Sequence, residues 1–230
     1  MNFTDAEWTA ILLSLEVASL AALASLPFAI ATAWALARRD FPGKSLLNAA
    51  VHLPLVLPPV VTGWLLLVAF GREGFAGRAL LACCGFTFAF RWTGAALAAA
   101  IMGFPLVVRS VRLSIAAVDP RLEQAAATLG ASGWRIFFTV TLPLALPGIV
   151  AGFVLGFAKA IGEFGATITF VANIPGQTQT LATRIYTATQ DPAGAAETWR
   201  LTAVAVAIAF VALLLSEALE TRAARRSQAA

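Results

Sequence analysis

Five long apolar stretches dominate the sequence, at roughly residues 10–37, 46–70, 92–117, 143–171 and 199–220. A stretch of about 20 apolar residues forms a helix long enough to cross a hydrocarbon layer about 30 Å thick. Hydrophobic residues make up 60% of the chain and charged residues 12%, which is more apolar than a soluble domain of this size requires. The short alternating pattern of a membrane β-barrel does not occur. The sequence therefore predicts an all-α, polytopic helical membrane protein with about five transmembrane helices.

The connection between the fourth and fifth stretches leaves the number of helices open. A further or re-entrant helix between residues 172 and 195 would make six, and Pro175-Gly176 makes this region irregular. Neither a second domain nor a strong repeat is visible, so we expect a single transmembrane domain over residues 1–230. Cys83 and Cys84 are adjacent and His52 is the only histidine, so no metal site is expected.

Basic residues predict the orientation of the chain. The sequence has three clusters of basic residues. One follows the first stretch (Arg38, Arg39 and Lys44), one surrounds residue 120 (Arg109, Arg112, Arg121 and Arg135), and one lies near the C-terminal end of the sequence (Arg222, Arg225 and Arg226). With five spans these clusters fall on one side, which the positive-inside rule makes cytoplasmic. Five arginines lie in or beside the loops predicted to be on the external side, and they count against this orientation: Arg72, Arg78, Arg91, Arg184 and Arg200. We expect an external N-terminus and a cytoplasmic C-terminus, and the basic charge requires no nucleic acid.

A polar segment with clear helix signals lies between the third and fourth stretches. Asp119 can accept hydrogen bonds from free amides at a helix start, and Pro120 suits the first helical position. Gly130 can end that helix in the left-handed conformation. The apolar residues of this helix recur at helical spacing: Leu122, Ala125, Ala126 and Leu129. This narrow stripe predicts a face that docks into a groove of another protein, with a simple connection between spans as the alternative.

A second short helix is expected to complete this hairpin. Ser132 can cap it, and it would carry Trp134, Phe137 and Phe138 up to Pro143. The predicted hairpin therefore occupies residues 119–142 and faces the cytoplasm.

The same segment resembles a motif of the membrane subunits of ATP-binding-cassette (ABC) importers. The motif has Glu-Ala-Ala, a glycine four residues later, and, after nine further residues, an aliphatic residue, any residue and Leu-Pro. This chain has Gln124-Ala125-Ala126, Gly130 and Val140-Thr141-Leu142-Pro143 at that spacing, with Gln124 in place of the usual Glu and Glu123 one residue earlier. The resemblance implies that this segment couples the chain to an ATPase subunit. The implied docking residues are Leu122, Glu123, Gln124, Ala125, Ala126, Leu129 and Gly130.

No catalytic motif is present in the sequence. Gly43-Lys44-Ser45 is a fragment of a phosphate loop, but Arg38 stands where the loop needs its first glycine. We therefore expect no enzymatic activity and no cofactor bound by this chain. The resemblance implies two copies of this subunit in lipid, two cytoplasmic ATPase subunits that bind ATP and Mg²⁺, and an external binding protein that delivers the solute.

Prolines interrupt the second apolar stretch. Pro58 and Pro59 have no amide proton to donate to the carbonyls of Pro54 and Leu55, which bends the helix and frees two acceptors at membrane depth. Irregular backbone is tolerated there only beside protein or a water-filled cavity. The sequence therefore predicts that this helix lines a translocation path, with a bend used only for packing as an equal alternative.

The fourth stretch contains two charges, Lys159 and Glu163, at helical spacing. An isolated charge at membrane depth costs about 2.5 to 3.5 kcal/mol on insertion scales, so both should face the protein interior and pair. We favour a structural or gating role for Glu163 over direct contact with a solute. Thr62, Thr167 and Thr169 are candidate hydrogen-bond donors along the path, and bonding to their own backbone is the alternative.

Over most of its length the chain is similar to the permease subunits of molybdate ABC transporters. The segments that carry this resemblance are spread along the chain: Trp8, Leu13 to Leu15, Phe41 to Lys44, Leu53 to Val61, Asp119 to Gly148, Gly162 to Thr167 and Asn173 to Gly176. The resemblance implies the transmembrane domain of a type I ABC importer in a bacterial inner membrane, which moves molybdate by alternating access. Tungstate and sulfate remain alternative solutes. A channel or carrier without a motor, or a membrane-embedded enzyme, are alternatives of other classes.

Overall fold

The computed structural model describes residues 3–228, without the side chains of residues 219, 220 and 222–228. Eleven helices follow one another in this part of the chain: α1 (Asp5–Arg38), α2 (Lys44–Val56), α3 (Pro59–Phe70), α4 (Phe75–Cys84), α5 (Trp92–Ala117), α6 (Pro120–Thr128), α7 (Gly133–Ile136), α8 (Leu142–Ile161), α9 (Gly165–Val171), α10 (Leu181–Thr189) and α11 (Ala195–Gln228). A π-helical segment, Phe137–Thr141, joins α7 to α8. Residues 3–228 contain no strand, so the predicted all-α class is confirmed.

Four of the predicted spans are helices long and apolar enough to cross a membrane, and a fifth is broken. The four are Asp5–Arg38, Trp92–Ala117, Gly133–Ile161 and Ala195–Ala218. The second apolar stretch forms α2 and α3, whose axes differ by 114°. The prolines explain this break, because Pro58 precedes α3 with extended backbone and Pro59 takes its first position. The predicted bend at the prolines is therefore correct, and it divides the second stretch into two helices.

The fourth apolar stretch differs from the prediction. Its span begins earlier, at Gly133, and ends at Ile161, while the remainder forms the separate helix α9. No proline lies at this second break. Between residues 172 and 195 the structure forms α10, which has only 9 residues and is too short to cross a bilayer.

Small residues allow α5 and α8 to pack closely. A Cβ added at Gly152 would lie 3.2 Å from the Ser110 Cβ, and one at Gly148 would lie 2.3 Å from the Ser114 Cβ. The two serine hydroxyls donate to backbone carbonyls of α8, at Gly148 (2.9 Å) and Ala145 (3.1 Å). Small residues and serine hydroxyls are the usual contacts between helices in membranes.

Helix α5 lies at the centre of the protein and α11 at its periphery. Of the apolar part of α5, 61% is buried, compared with 17% for α11. Helix α11 has an apolar surface suited to lipid, formed by large exposed side chains: Phe210, Val211, Leu213, Leu214 and Leu215.

Four of the five arginines assigned to the outer loops have partners. Arg78 pairs with Glu73, Arg184 with Glu197 and Arg200 with Glu7, while Arg91 lies over the ring of Phe86. These contacts do not change the count of basic residues, because the positive-inside rule counts Lys and Arg and gives acidic partners little weight. Arg222, Arg225 and Arg226 lie outside the described side chains, so the orientation stays a prediction.

Candidate functional site

The first limb of the hairpin, α6, has the predicted ends. The Asp119 carboxylate accepts from the Arg121 amide at 2.9 Å, and Pro120 is the first helical residue. Beyond the helix, Gly130 adopts φ +84°, and the Ala131 amide donates to the Ala126 carbonyl at 3.1 Å. This left-handed residue reverses the chain direction at little steric cost because it has no Cβ.

Two large apolar side chains of this limb are uncovered. Leu129 is 89% exposed and Leu122 49% exposed, and the neighbouring Gln124 and Ala125 are also exposed. Ala126 is half-buried instead, on the inner side of the helix. Exposed leucines on a short polar hairpin are typical of a docking surface, so the predicted docking of this face remains a prediction with a suitable geometry.

The second limb differs from the predicted separate helix. Helix α7 has only four residues, Ser132 makes no side-chain capping bond, and the chain continues through the π-helical segment into α8. The reason is that an apolar run from Ile136 onward continues the helix into the bilayer. The hairpin is therefore α6, a glycine turn and the projecting end of a membrane span. Trp134 (73% exposed) and Phe138 (57% exposed) stack on each other on this limb.

The side chain of Glu123 points back into the protein. Its carboxylate accepts from the Thr141 hydroxyl at 2.6 Å and lies 3.3 Å from an Arg38 guanidinium nitrogen. The same nitrogen donates to the Val118 carbonyl at 2.8 Å. Sequence reasoning missed these roles of Arg38 and Thr141, because Arg38 lies eighty positions before Val118 and no local pattern connects them.

The two broken helices meet each other. A Cβ added at Gly63 of α3 would lie 2.5 Å from the Ala166 carbonyl oxygen of α9, and one at Gly165 would lie 2.7 Å from the Pro59 Cβ. The backbones of α3 and α9 are therefore in direct contact. Pro58 and Pro59 are exposed beside this contact.

The predicted ion pair at the end of α8 is confirmed. Lys159 donates to Glu163 at 2.7 Å, and the other oxygen of Glu163 accepts from the Ala166 amide at 3.1 Å. The Glu163 side chain is 2% exposed and that of Lys159 31%. Glu163 thus satisfies the free amide of α9 and an ammonium group together, which reduces the cost of its burial.

The three threonines differ in their surroundings. Thr169 donates to the Gly165 carbonyl of its own helix at 2.9 Å, so the backbone alternative is correct for this residue. Thr167 is buried, and Thr62 is buried with no hydrogen-bond partner for its hydroxyl among the described residues. Thr62 is therefore the threonine with an unused hydrogen-bonding group near the α3–α9 contact.

These features define a class of protein: a multi-pass helical membrane protein with two broken helices in contact and a docking hairpin beyond the spans. The chain belongs to the family described as binding-protein-dependent transport system inner membrane component, whose model matches residues 25–225. It is thus a membrane component of a transport system and has the predicted family relationship.

Curated relatives of this chain are also transport-system permeases. The chain is 59% identical over 217 residues to the molybdenum transport system permease protein ModB of Escherichia coli (strain K12), covering 94% of this chain and 95% of the relative. It is 38% identical to the sulfate transport system permease protein CysW of Synechococcus elongatus, covering 87% of this chain and 70% of the relative.

Solved structures share the fold. A bacterial ABC transporter involved in the import of the polysaccharide alginate superposes with a TM-score of 0.69 at 19% identity, over 97% of this chain and 80% of that chain. The inward-facing methionine ABC transporter MetNI gives a TM-score of 0.66 at 14% identity, over 94% of each chain. The predicted fold, a type I ABC importer transmembrane domain, is therefore confirmed.

Proposed function

We propose that this chain is the permease subunit of an ATP-driven importer that moves molybdate across a bacterial inner membrane. The observation that carries the proposal is the 59% identity to a molybdenum permease over nearly the whole of both chains. The 38% identity to a sulfate permease makes sulfate the second candidate. The chain itself supplies the membrane path, while ATP and Mg²⁺ bind to a separate ATPase subunit.

The exposed face of α6 is the proposed contact with that ATPase subunit. Leu122 and Leu129 are large apolar side chains on a hairpin that otherwise faces water, and burying them against a partner releases their hydration water. Ala125 and Gly130 lie beside them without bulky groups that would keep a partner away, and Gln124 is exposed on the same helix. With the predicted orientation, this surface lies in the cytoplasm.

A second copy of the chain is the proposed cover for the broken helix pair. Helix α3 exposes Val60 (54%), Trp64 (56%) and Val68 (52%), next to the exposed prolines of the break. An interrupted helix at membrane depth needs protein or a water-filled cavity beside it. A homodimer with α3 of each copy at its centre meets both requirements, with the path between the copies.

The α3–α9 contact is the proposed gate. In this conformation the backbones of α3 and α9 touch at Gly63 and Ala166, and the ion pair of Lys159 and Glu163 fixes the start of α9. ATP-driven movement of the hairpin would separate and rejoin these helices, so that the path opens alternately to each side. An external binding protein delivers the anion to the outer side.

Reconstitution tests this function. Proteoliposomes with this chain, its ATPase subunit and its binding protein are expected to take up radiolabelled molybdate only with ATP, and tungstate is expected to compete more strongly than sulfate. Stronger competition by sulfate would assign the chain to sulfate import. Gradient-driven uptake by the chain without an ATPase subunit would assign it to the channels or carriers.

A further inference from the structure

The carboxylate of Glu123 faces the protein, whereas Leu122 and Leu129 of the same hairpin are uncovered. The Glu123 side chain is 21% exposed, whereas Leu129 on the same segment is 89% exposed. The next residue, Gln124, is exposed. The carboxylate of Glu123 is held within the protein by Thr141 and Arg38, whereas Leu122 and Leu129 are uncovered and can contact a partner.

Arg38 connects three parts of the protein at one point. It is the last residue of α1, and its side chain is 17% exposed. One guanidinium nitrogen donates to the Val118 carbonyl at the end of α5 and lies 3.3 Å from the Glu123 carboxylate. Val118 is a C-terminal capping residue, so its carbonyl lacks a partner within the helix. Arg38 thus supplies that partner and fixes α6 by charge.

Thr141 connects the second limb of the hairpin to the same carboxylate. Thr141 is 1% exposed, and its hydroxyl donates to Glu123 at 2.6 Å. Thr141 is the last residue of the π-helical segment Phe137–Thr141. Short π-helical segments frequently lie at functional sites, because they change the direction of side chains within a helix. One carboxylate therefore joins α6 to the beginning of α8.

An aromatic contact fixes the second limb to α1 independently. The rings of Trp34 and Phe137 meet edge to face, with centroids 5.8 Å apart, and Arg39 lies over the Trp34 ring at 5.0 Å. The last turn of α1 thus touches both limbs of the hairpin, through Arg38 and through Trp34.

We infer that Glu123 is a positioning residue that fixes both limbs of the hairpin to the end of α1, and that it is not a contact for the ATPase subunit. This inference rests on the proposed function. Helix α1 has 34 residues and is therefore about 50 Å long. Its other end is held by the ion pair of Glu7 and Arg200, at 2.7 Å. A displacement of the hairpin is thus passed along one continuous helix to the opposite side of the membrane.

The test compares Glu123→Gln with wild type in the complete reconstituted complex. The variant is expected to co-purify with the ATPase subunit as wild type does, because the docking face is unchanged. The ATP hydrolysed per molybdate transported is expected to rise by up to about tenfold, because the neutral amide loses the charge attraction to the Arg38 guanidinium. The double variant Arg38→Gln/Glu123→Gln is expected to have a smaller effect than the two single effects combined, because the contact between Arg38 and Glu123 is lost only once.

Asp40→Asn provides a matched control. It also removes a carboxylate paired with a basic residue just beyond α1, since Asp40 accepts from Lys44 at 2.9 Å, but its side chain is 99% exposed. This variant is expected to keep the wild-type ratio of ATP to molybdate. Thr141→Val provides a second, uncharged test of the same contact and is expected to raise the ratio in the same direction as Glu123→Gln.

A measurement without transport separates this inference from the proposed function. Hydrogen exchange of residues 120–142 in the purified chain is expected to accelerate in Glu123→Gln and Thr141→Val, and to stay at the wild-type rate in Asp40→Asn. Loss of the ATPase subunit from the Glu123→Gln complex would make Glu123 a docking contact and overturn the inference. Wild-type exchange and a wild-type ratio in both hairpin variants would also overturn it. A wild-type complex without ATP-driven uptake would instead overturn the proposed function.

Discussion

Gly63→Ala should force the proposed gate apart. The added Cβ would lie 2.5 Å from the Ala166 carbonyl oxygen and 2.8 Å from its Cα, whereas ordinary contact begins at 3.4 Å, so α3 and α9 must separate by about 0.9 Å (3.4 minus 2.5). Both neighbours are backbone atoms, which cannot move aside as a flexible side chain does.

Overpacking of this kind costs about 1 to 3 kcal/mol. This lowers the population of the conformation in which α3 and α9 are in contact by about one to two powers of ten.

The assay is passive efflux of molybdate from loaded proteoliposomes that contain the complex but no ATP. The Gly63→Ala complex is expected to leak at about ten times the wild-type rate or more. Gly103→Ala is the matched control, because its Cβ would meet its nearest neighbour, the Gly156 carbonyl oxygen, at 3.4 Å. Equal efflux from wild type and Gly63→Ala, with both proteins correctly inserted, would refute the assignment of this contact as a gate.

Three further predictions concern the hairpin and the two ion pairs. Gly130→Val places a β-branched residue at φ +84°, which strains the backbone by about 1 to 3 kcal/mol. The variant is expected to insert normally into the membrane but to co-purify less ATPase subunit. Full co-purification and uptake would contradict the docking role of the hairpin. Glu163→Gln leaves Lys159 without its counter-charge and is expected to lower ATP-driven uptake at least tenfold, and unchanged uptake would remove this pair from the gate. Glu7→Gln leaves Arg200 partly buried and unpaired and is expected to lower thermal stability in detergent by several degrees, whereas an unchanged melting temperature would show that this pair contributes nothing.

Local signals in the sequence were sufficient for much of the fold. The apolar stretches predicted the spans, and Asp119, Pro120 and Gly130 predicted both ends of α6, because capping depends on residues within one helical turn. The spacing of Lys159 and Glu163 likewise predicted their ion pair. These features depend on neighbours in sequence.

Features that depend on distant residues were not predictable from the sequence. The break between α8 and α9 has no proline, and it coincides with Gly165 packing against Pro59 of α3. The prolines indicate the break between α2 and α3, but they do not indicate its angle of 114°. The contacts of Arg38 join residues that only the packed fold brings together.

The most direct test of the account is a crosslink from the hairpin. A single cysteine at Leu129→Cys, in a chain with the exposed Cys83 and Cys84 replaced by serine, is expected to react with membrane-impermeant reagents only from the cytoplasm. In the assembled complex it should form a crosslink to the ATPase subunit, and ATP should change the yield. Labelling from the periplasm, or a complex without this crosslink, would contradict the central claim that the hairpin couples a separate ATPase to the membrane path.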